Sequence, residues 1–166
     1  MPEVIANASP LINLSTLDYL HLLKRFHSEV IIPPAVWEEV VVSGENRPGV
    51  EEVKNAREAD WLSIVTPDNE IVVTTLEKQL DIGEAEAIAL GIAKEDELIL
   101  LDESDAREKA EFYDLKITGT IGILLRGYKV GAIKSFDAAL QQLQEKANFR
   151  ISDDLHNKFT NLAREI

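Results

Sequence analysis

Apolar positions along the chain fall into runs of three or four residues separated by longer amphipathic stretches. Val4-Ile5-Ala6 is the first run and stops at Asn7; Ser9-Pro10 breaks the chain before the apolar segment Leu11-Ile12-Asn13-Leu14. Ser15 or Thr16 then caps a predicted helix through Phe26. Val30-Ile31-Ile32 reads as a second strand. The Pro33-Pro34 pair ends it and puts a proline in the first turn of a helix continuing over Ala35-Val36-Trp37-Glu38-Glu39-Val40. Ser43-Gly44 and Pro48-Gly49 punctuate the next connection, ahead of a helix over 50–59 and a strand over 62–65. Residues 66–80 fit neither period cleanly and stay open between strand and loop.

The clearest helix opens at Asp81-Ile82-Gly83-Glu84, because Ala85, Ile88, Ala89 and Ile92 follow the i, i+3, i+4, i+7 stripe of a face packed on a sheet. Leu98-Ile99-Leu100-Leu101 is continuously apolar and stops at Asp102, the pattern of a central parallel strand covered on both faces. A helix over 105–113 follows, then a strand at Lys116-Ile117-Thr118, a turn at Gly119, and Thr120 capping the apolar helix that begins Ile121-Gly122-Ile123. Helices over 135–147 and 153–165 close the chain. Short strands alternating with helices predict the α/β class, a single domain over 1–166 with a mostly parallel central sheet and helices on both faces.

Composition narrows the chemistry. The 166 residues include no cysteine, which removes disulfides, thiolate metal sites and cysteine nucleophiles and leaves oxygen and imidazole as ligands. His21, His27 and His156 stand singly, and no G-x-S-x-G, Walker loop or H-E-x-x-H occurs. Glu3 precedes the first apolar run with no basic segment before it, unlike a secretory signal, and no apolar run approaches the ~18 residues of a membrane span. A cytoplasmic protein without a membrane partner is the expectation.

The formal net charge of −13 argues against coating nucleic acid through bulk electrostatics. It is unevenly spread: residues 1–106 carry 7 Lys/Arg against 22 Asp/Glu, and residues 107–166 carry 10 against 8. An acidic site beside a mildly basic approach surface is compatible with that asymmetry, with Arg107, Arg126 and Lys129 as candidate phosphate contacts.

Ligands of open parallel sheets bind at the carboxyl ends of the strands, where Asn7 and Asp102 stand. Glu84 opens the helix that leads into the Asp102 strand, and Glu38 and Glu39 lie early in another helix of the same orientation. Oxygen ligands converging from four parts of the chain suit a hard cation such as Mg²⁺ or Mn²⁺. Taken singly, Glu84 also reads as a helix-start carboxylate and Asp102 as a helix cap. Thr118 or Thr120, at the start of a helix whose N–H groups favour anions, can contact phosphate or can be an ordinary cap.

The pieces Asn7-Ala8-Ser9-Pro10-Leu11, Ile32-Pro33-Pro34-Ala35-Val36-Trp37-Glu38-Glu39, Gly83-Glu84-Ala85-Glu86-Ala87-Ile88-Ala89-Leu90 and Leu98 to Asp105 resemble the successive motifs of PIN-domain proteins. Thr118-Gly119-Thr120-Ile121-Gly122 and the tail Phe149-Arg150-Ile151-Ser152-Asp153 extend the resemblance to nearly the whole chain, in a bacterial and archaeal branch related to VapC-type toxins. The resemblance implies a three-layer α/β/α fold, with the C-terminal helices from about 135 to 166 packed on it or extending it. It also implies a Mg²⁺- or Mn²⁺-dependent ribonuclease in which Glu39, Glu84 and Asp102 hold the metal, Asp105 adds an acidic position and Ser9 supplies a hydroxyl beside the first carboxylate.

Asn7 departs from that pattern, since the family's usual residue there is an aspartate; an amide oxygen ligates a cation without contributing charge. Two readings therefore stand side by side. One is a ribonuclease, the toxin of a toxin–antitoxin pair neutralised by a small antitoxin protein. The alternative is a catalytically degenerate PIN-like module that binds RNA or a protein. A phosphoryl-transfer domain would want an aspartate nucleophile at the end of the first strand, and Asn7-Ala8-Ser9 counts against it. The resemblance also makes a homodimer an expectation.

Overall fold

A computed structural model describes residues 1–95 and 97–165. Five strands, β1 (Val4–Ala6), β2 (Val30–Ile32), β3 (Leu62–Ile64), β4 (Leu98–Leu100) and β5 (Lys116–Thr118), form one sheet in the order β3-β2-β1-β4-β5. Every pairing is parallel, with Val4 opposite both Val30 and Leu98. The helices are α1 (Ala8–Thr16), α2 (His21–Phe26), α3 (Pro34–Trp37), α4 (Val50–Glu58), α5 (Glu70–Leu76), α6 (Ile82–Ala93), α7 (Ser104–Phe112), α8 (Thr120–Lys129), α9 (Phe136–Ala147) and α10 (Asp153–Arg164).

Side chains of a strand alternate between faces, and the two cores follow that alternation. Val4, Ala6, Val30, Ile32, Leu62 and Leu100 point into one cluster, which is completed by α1, α2, α4, α8 and α9. Ile5, Ile31, Ile99 and Leu101 point into the other, completed by Leu76 of α5, Ala85 and Ile88 of α6, and Ala106 and Ala110 of α7. The expected three-layer α/β/α architecture is therefore present, with a sheet that is parallel throughout. Helix α10 lies on α8 and α9 and joins the first cluster through Leu155, Phe159 and Ala163.

Several local expectations change. Ser9-Pro10 does not interrupt the chain but lies in the first turn of α1, where a proline costs little because N–H groups there have no acceptor within the helix. Of the helix predicted from Ser15 or Thr16 to Phe26 only α2, His21–Phe26, is present: Ser15 and Thr16 end α1 instead of capping a helix, and Asp18 takes a left-handed φ of 61° between the two. The open stretch 66–80 contains α5, capped by Asn69, whose Oδ1 accepts from the Val72 N–H at 3.1 Å. Its β-branched run Ile71-Val72-Val73-Thr74-Thr75 has the propensity of a strand, and docking of Leu76, Val72 and Val73 on the second core overrides it. After Trp37 the helix widens into a π-turn over Glu38–Val42, with the Ser43 N–H donating to Glu38 O at 2.8 Å.

Candidate active site at the carboxyl edge of the sheet

The strand order reverses direction at β1, whose neighbours are β2 on one side and β4 on the other. The chain leaves these strands toward different layers, opening a crevice at their carboxyl ends, the usual ligand position of a doubly wound sheet. Two adjoining clefts occupy that edge, of about 310 and 570 Å³. Ser9, Glu103 and Ser104 border both.

The smaller cleft is acidic. Asn7, Glu39, Asp81 and Glu84 line it from β1, the π-turn and the start of α6, and Glu103 and Asp105 from the start of α7. Asn7 is only 4% exposed and sits at the N-cap position of α1, yet its side chain makes no capping bond. Pro10, three residues on, has no N–H to offer it. The amide oxygen lies instead over the first turn of α6, where a Cβ on Gly83 would stand 3.3 Å from Asn7 Oδ1. A side chain at 83 would crowd this oxygen.

Glu84 and Asp81 form a reciprocal capping box: the Glu84 N–H donates to Asp81 Oδ1 at 2.8 Å, and the Asp81 N–H donates to Glu84 Oε1 at 3.2 Å. Glu84 is 7% exposed. Burial pushes its carboxyl up to about 7, the charges of Asp81 and Glu103 push the same way, and the Asp81 N–H opposes them. Glu39 is also raised, first by desolvation and then by Asp81, with Arg47 opposing. Arg47 is itself tied to the backbone through Ser43 O and Gly44 O. Glu86, on the other side of α6, accepts the Ala35 N–H at 2.9 Å and so ties the start of α3 to α6.

Asp102 does not face this cleft. Its Oδ1 accepts from the Thr120 N–H at 2.8 Å, and its Oδ2 accepts from Thr120 Oγ1 at 2.7 Å and Asn13 Nδ2 at 3.0 Å. It lines the larger cleft instead. Of Asn7, Glu39, Glu84 and Asp102, expected together, the first three line the smaller cleft, with Asp105 beside them, and Asp102 does not. Asp81 and Glu103 stand where Asp102 was expected. Asp81 was legible as the residue opening a D-x-x-E helix start, and Glu103 through strand alternation.

The expected phosphate contacts also differ in place. Thr120 is fully buried and spends its hydroxyl on Asp102, with Gly119 rather than Thr120 at the cap position. Thr118 Oγ1 sits so close against Gly122 that a Cβ placed there would clash with it. Arg107 Nη1 donates to Leu101 O at 2.7 Å and serves the backbone at the end of β4. Arg126 lies over the Phe26 ring, 4.3 Å from its centroid, and Lys129 ends α8. Both lie at the end of that helix away from Asp102, about 9–14 Å along its axis. The cation that does border these clefts is Arg150, beside Asn148 and Phe149. Ser9 is the predicted hydroxyl that remains at the edge.

Fold and site together define an α/β module with an oxygen-rich, cysteine-free crevice at the topological switch of a parallel sheet. A family model described as PIN domain matches residues 3–165, and the chain belongs to the PIN-domain family. No curated protein matches the chain. PIN domains are nuclease-like modules that generally use divalent metals. The donor chemistry of the acidic cleft suits a hard divalent cation: the available donor atoms are oxygens, and burial, with Asp81 beside them, has raised Glu84 and Glu39. As the side chains stand, no three of the described His, Cys, Asp and Glu residues are grouped closely enough to hold an ion. Among the described residues no helix is long and apolar enough to cross a membrane.

Proposed function

We propose that this chain is a Mg²⁺- or Mn²⁺-dependent ribonuclease working in the acidic cleft, and that it serves as the toxin of a toxin–antitoxin pair in the cytoplasm, held in check by a small protein partner. The observation that carries the nuclease reading is the meeting of Asn7, Glu39 and Glu84 at the β1 edge with Asp81, Glu103 and Asp105 around them. Asn7, Glu39 and Glu84 are the residues that would hold the cation. When bound, it supplies Lewis-acid charge for the phosphoryl oxygens and lowers the pKa of a coordinating water.

The chain's own groups do the rest. Glu84, whose carboxyl burial raises to about 7, must give up its proton to take the cation, so the site loads more readily as pH rises toward neutrality. Asp105 and Glu103 hold the rim of the cleft negative and favour cation entry. Ser9 presents a hydroxyl to a phosphate at the boundary of the two clefts.

Cleavage of a single-stranded RNA in Mn²⁺ is the test. Wild type is expected to cleave, Asn7→Asp to cleave faster, and Glu84→Gln to lose at least ~10²-fold in rate. Full activity in Glu84→Gln would sink the cleft. The degenerate-module reading draws support from the uncharged amide at Asn7, and it takes over if only Asn7→Asp cleaves.

A further inference from the structure

The larger cleft has a different chemistry from the acidic one, although they share a border. Phe149 borders it, half-buried, and also packs against the first core. Asn13 and Asn148 bring two amides. One Asn13 Nδ2 N–H donates to Asp102, which orients the side chain. Asn148 holds a left-handed φ of 53° at the end of α9, a conformation an asparagine tolerates well. Arg150 is exposed at the rim.

We propose that this cleft is a base-recognition subsite for single-stranded RNA, and that it receives the nucleoside next to the phosphate held in the acidic cleft. The proposal rests on the ribonuclease reading. A volume of about 570 Å³ lies within the range of small-molecule pockets and exceeds what a phosphate needs. Unpaired bases are recognised by stacking on an aromatic ring and by hydrogen bonds to their edges. Phe149 offers the ring, and the Asn13 and Asn148 amides offer the edge contacts. The acidic cleft repels a phosphodiester, and Arg150 places a compensating positive charge one nucleotide away. Ser9, Glu103 and Ser104 form the shared boundary, so one nucleotide step passes directly from one cleft to the other.

The test titrates the full ¹⁵N-labelled chain, without metal, with the four ribonucleoside 5′-monophosphates and with ribose 5-phosphate and inorganic phosphate as controls. At least one nucleotide is expected to shift the amides of Asn13, Asn148, Phe149 and Arg150 saturably, and neither control to do so. Phe149→Leu keeps an apolar contact with the core and removes the ring; it is expected to weaken that nucleotide about tenfold or more with an unchanged fold-sensitive spectrum. Absence of nucleotide shifts at these amides, equal shifts from ribose 5-phosphate, or full affinity in Phe149→Leu would each overturn the subsite. Cleavage of RNA in Mn²⁺ separates the two claims. Cleavage without nucleotide shifts leaves the ribonuclease reading standing and removes the subsite. Shifts without cleavage under either metal leave a binding cleft and remove the nuclease.

Discussion

Asn7 replaces a charge with a dipole at a position that is almost fully buried and lies against the turn bearing Glu84. An aspartate there would add a third close carboxylate beside Glu84 and Asp81. Asn7→Asp is expected to tighten Mn²⁺ by roughly tenfold, read by calorimetry, and to lower the metal-free melting temperature by ~2–4 °C, about 1 kcal/mol. Glu84 gives the complementary test. Its folded carboxyl is raised to about 7 from an ordinary 4.5, so the neutral form is the one the fold favours. The stability it contributes is fully present below pH 4.5 and is lost as pH rises through 7. Glu84→Gln should therefore melt within about 1 °C of wild type at pH 5 and ~2–4 °C above it at pH 8, without metal. Mn²⁺ competes with the same proton, so wild-type affinity is expected to fall by up to tenfold per pH unit below 7.

At the scale of elements, Asp102 is a brace. One carboxylate holds the first residue of α8 through two bonds and α1 through a third, and a charged acceptor left out of such a network is worth ~2–3 kcal/mol. Asp102→Ala is expected to lower the melting temperature by ~5–10 °C, so that any loss of cleavage must be compared at a temperature where the variant is fully folded. The sequence makes Asp102 the obvious acidic partner because it follows an apolar strand. The same strand carries the information that separates it from its neighbour. Leu100 faces the first core and Leu101 the second, so Asp102 continues toward α1 and α8, and Glu103 toward α6 and α7. Asn7 continues the face of Ile5 in the same way.

The strands, their parallel pairing and most helices were legible because apolar periodicity reports burial directly. Helix α5 was not, because its β-branched residues carry the opposite local preference. The π-turn at Glu38–Val42 leaves no mark in a helical period. The Arg126 and Lys129 contacts failed for a different reason: charge asymmetry along a chain gives no direction in space, and a ten-residue helix carries its last turn far from its first.

Over the whole molecule the charge is −13, and among the described residues the pairs Lys94–Glu3 and Lys54–Glu51 span 3.8 and 4.0 Å on exposed or half-exposed side chains. Such pairs contribute little, and the unscreened remainder opposes compaction. Raising NaCl from about 20 to 500 mM, where the screening length falls severalfold, is expected to raise the melting temperature. Millimolar Mg²⁺ should raise it further than matched ionic strength does, since binding at the acidic cleft adds its own linkage term. Equal effects of the two salts would mean that the cation acts only as a screen.

The bond that Glu86 accepts from the Ala35 N–H joins α3, which runs on into the π-turn bearing Glu39, to α6, which bears Glu84. Glu103 and Asp105 begin α7, at the end of a strand braced to α8 by Asp102 and tied to α7 by Arg107. The acidic cleft is thus the gap between two jaws, each latched internally by a hydrogen bond that touches no ligand. Any closing stroke that brings carboxylates together changes the spacing between the jaws and leaves the geometry within each one unaltered.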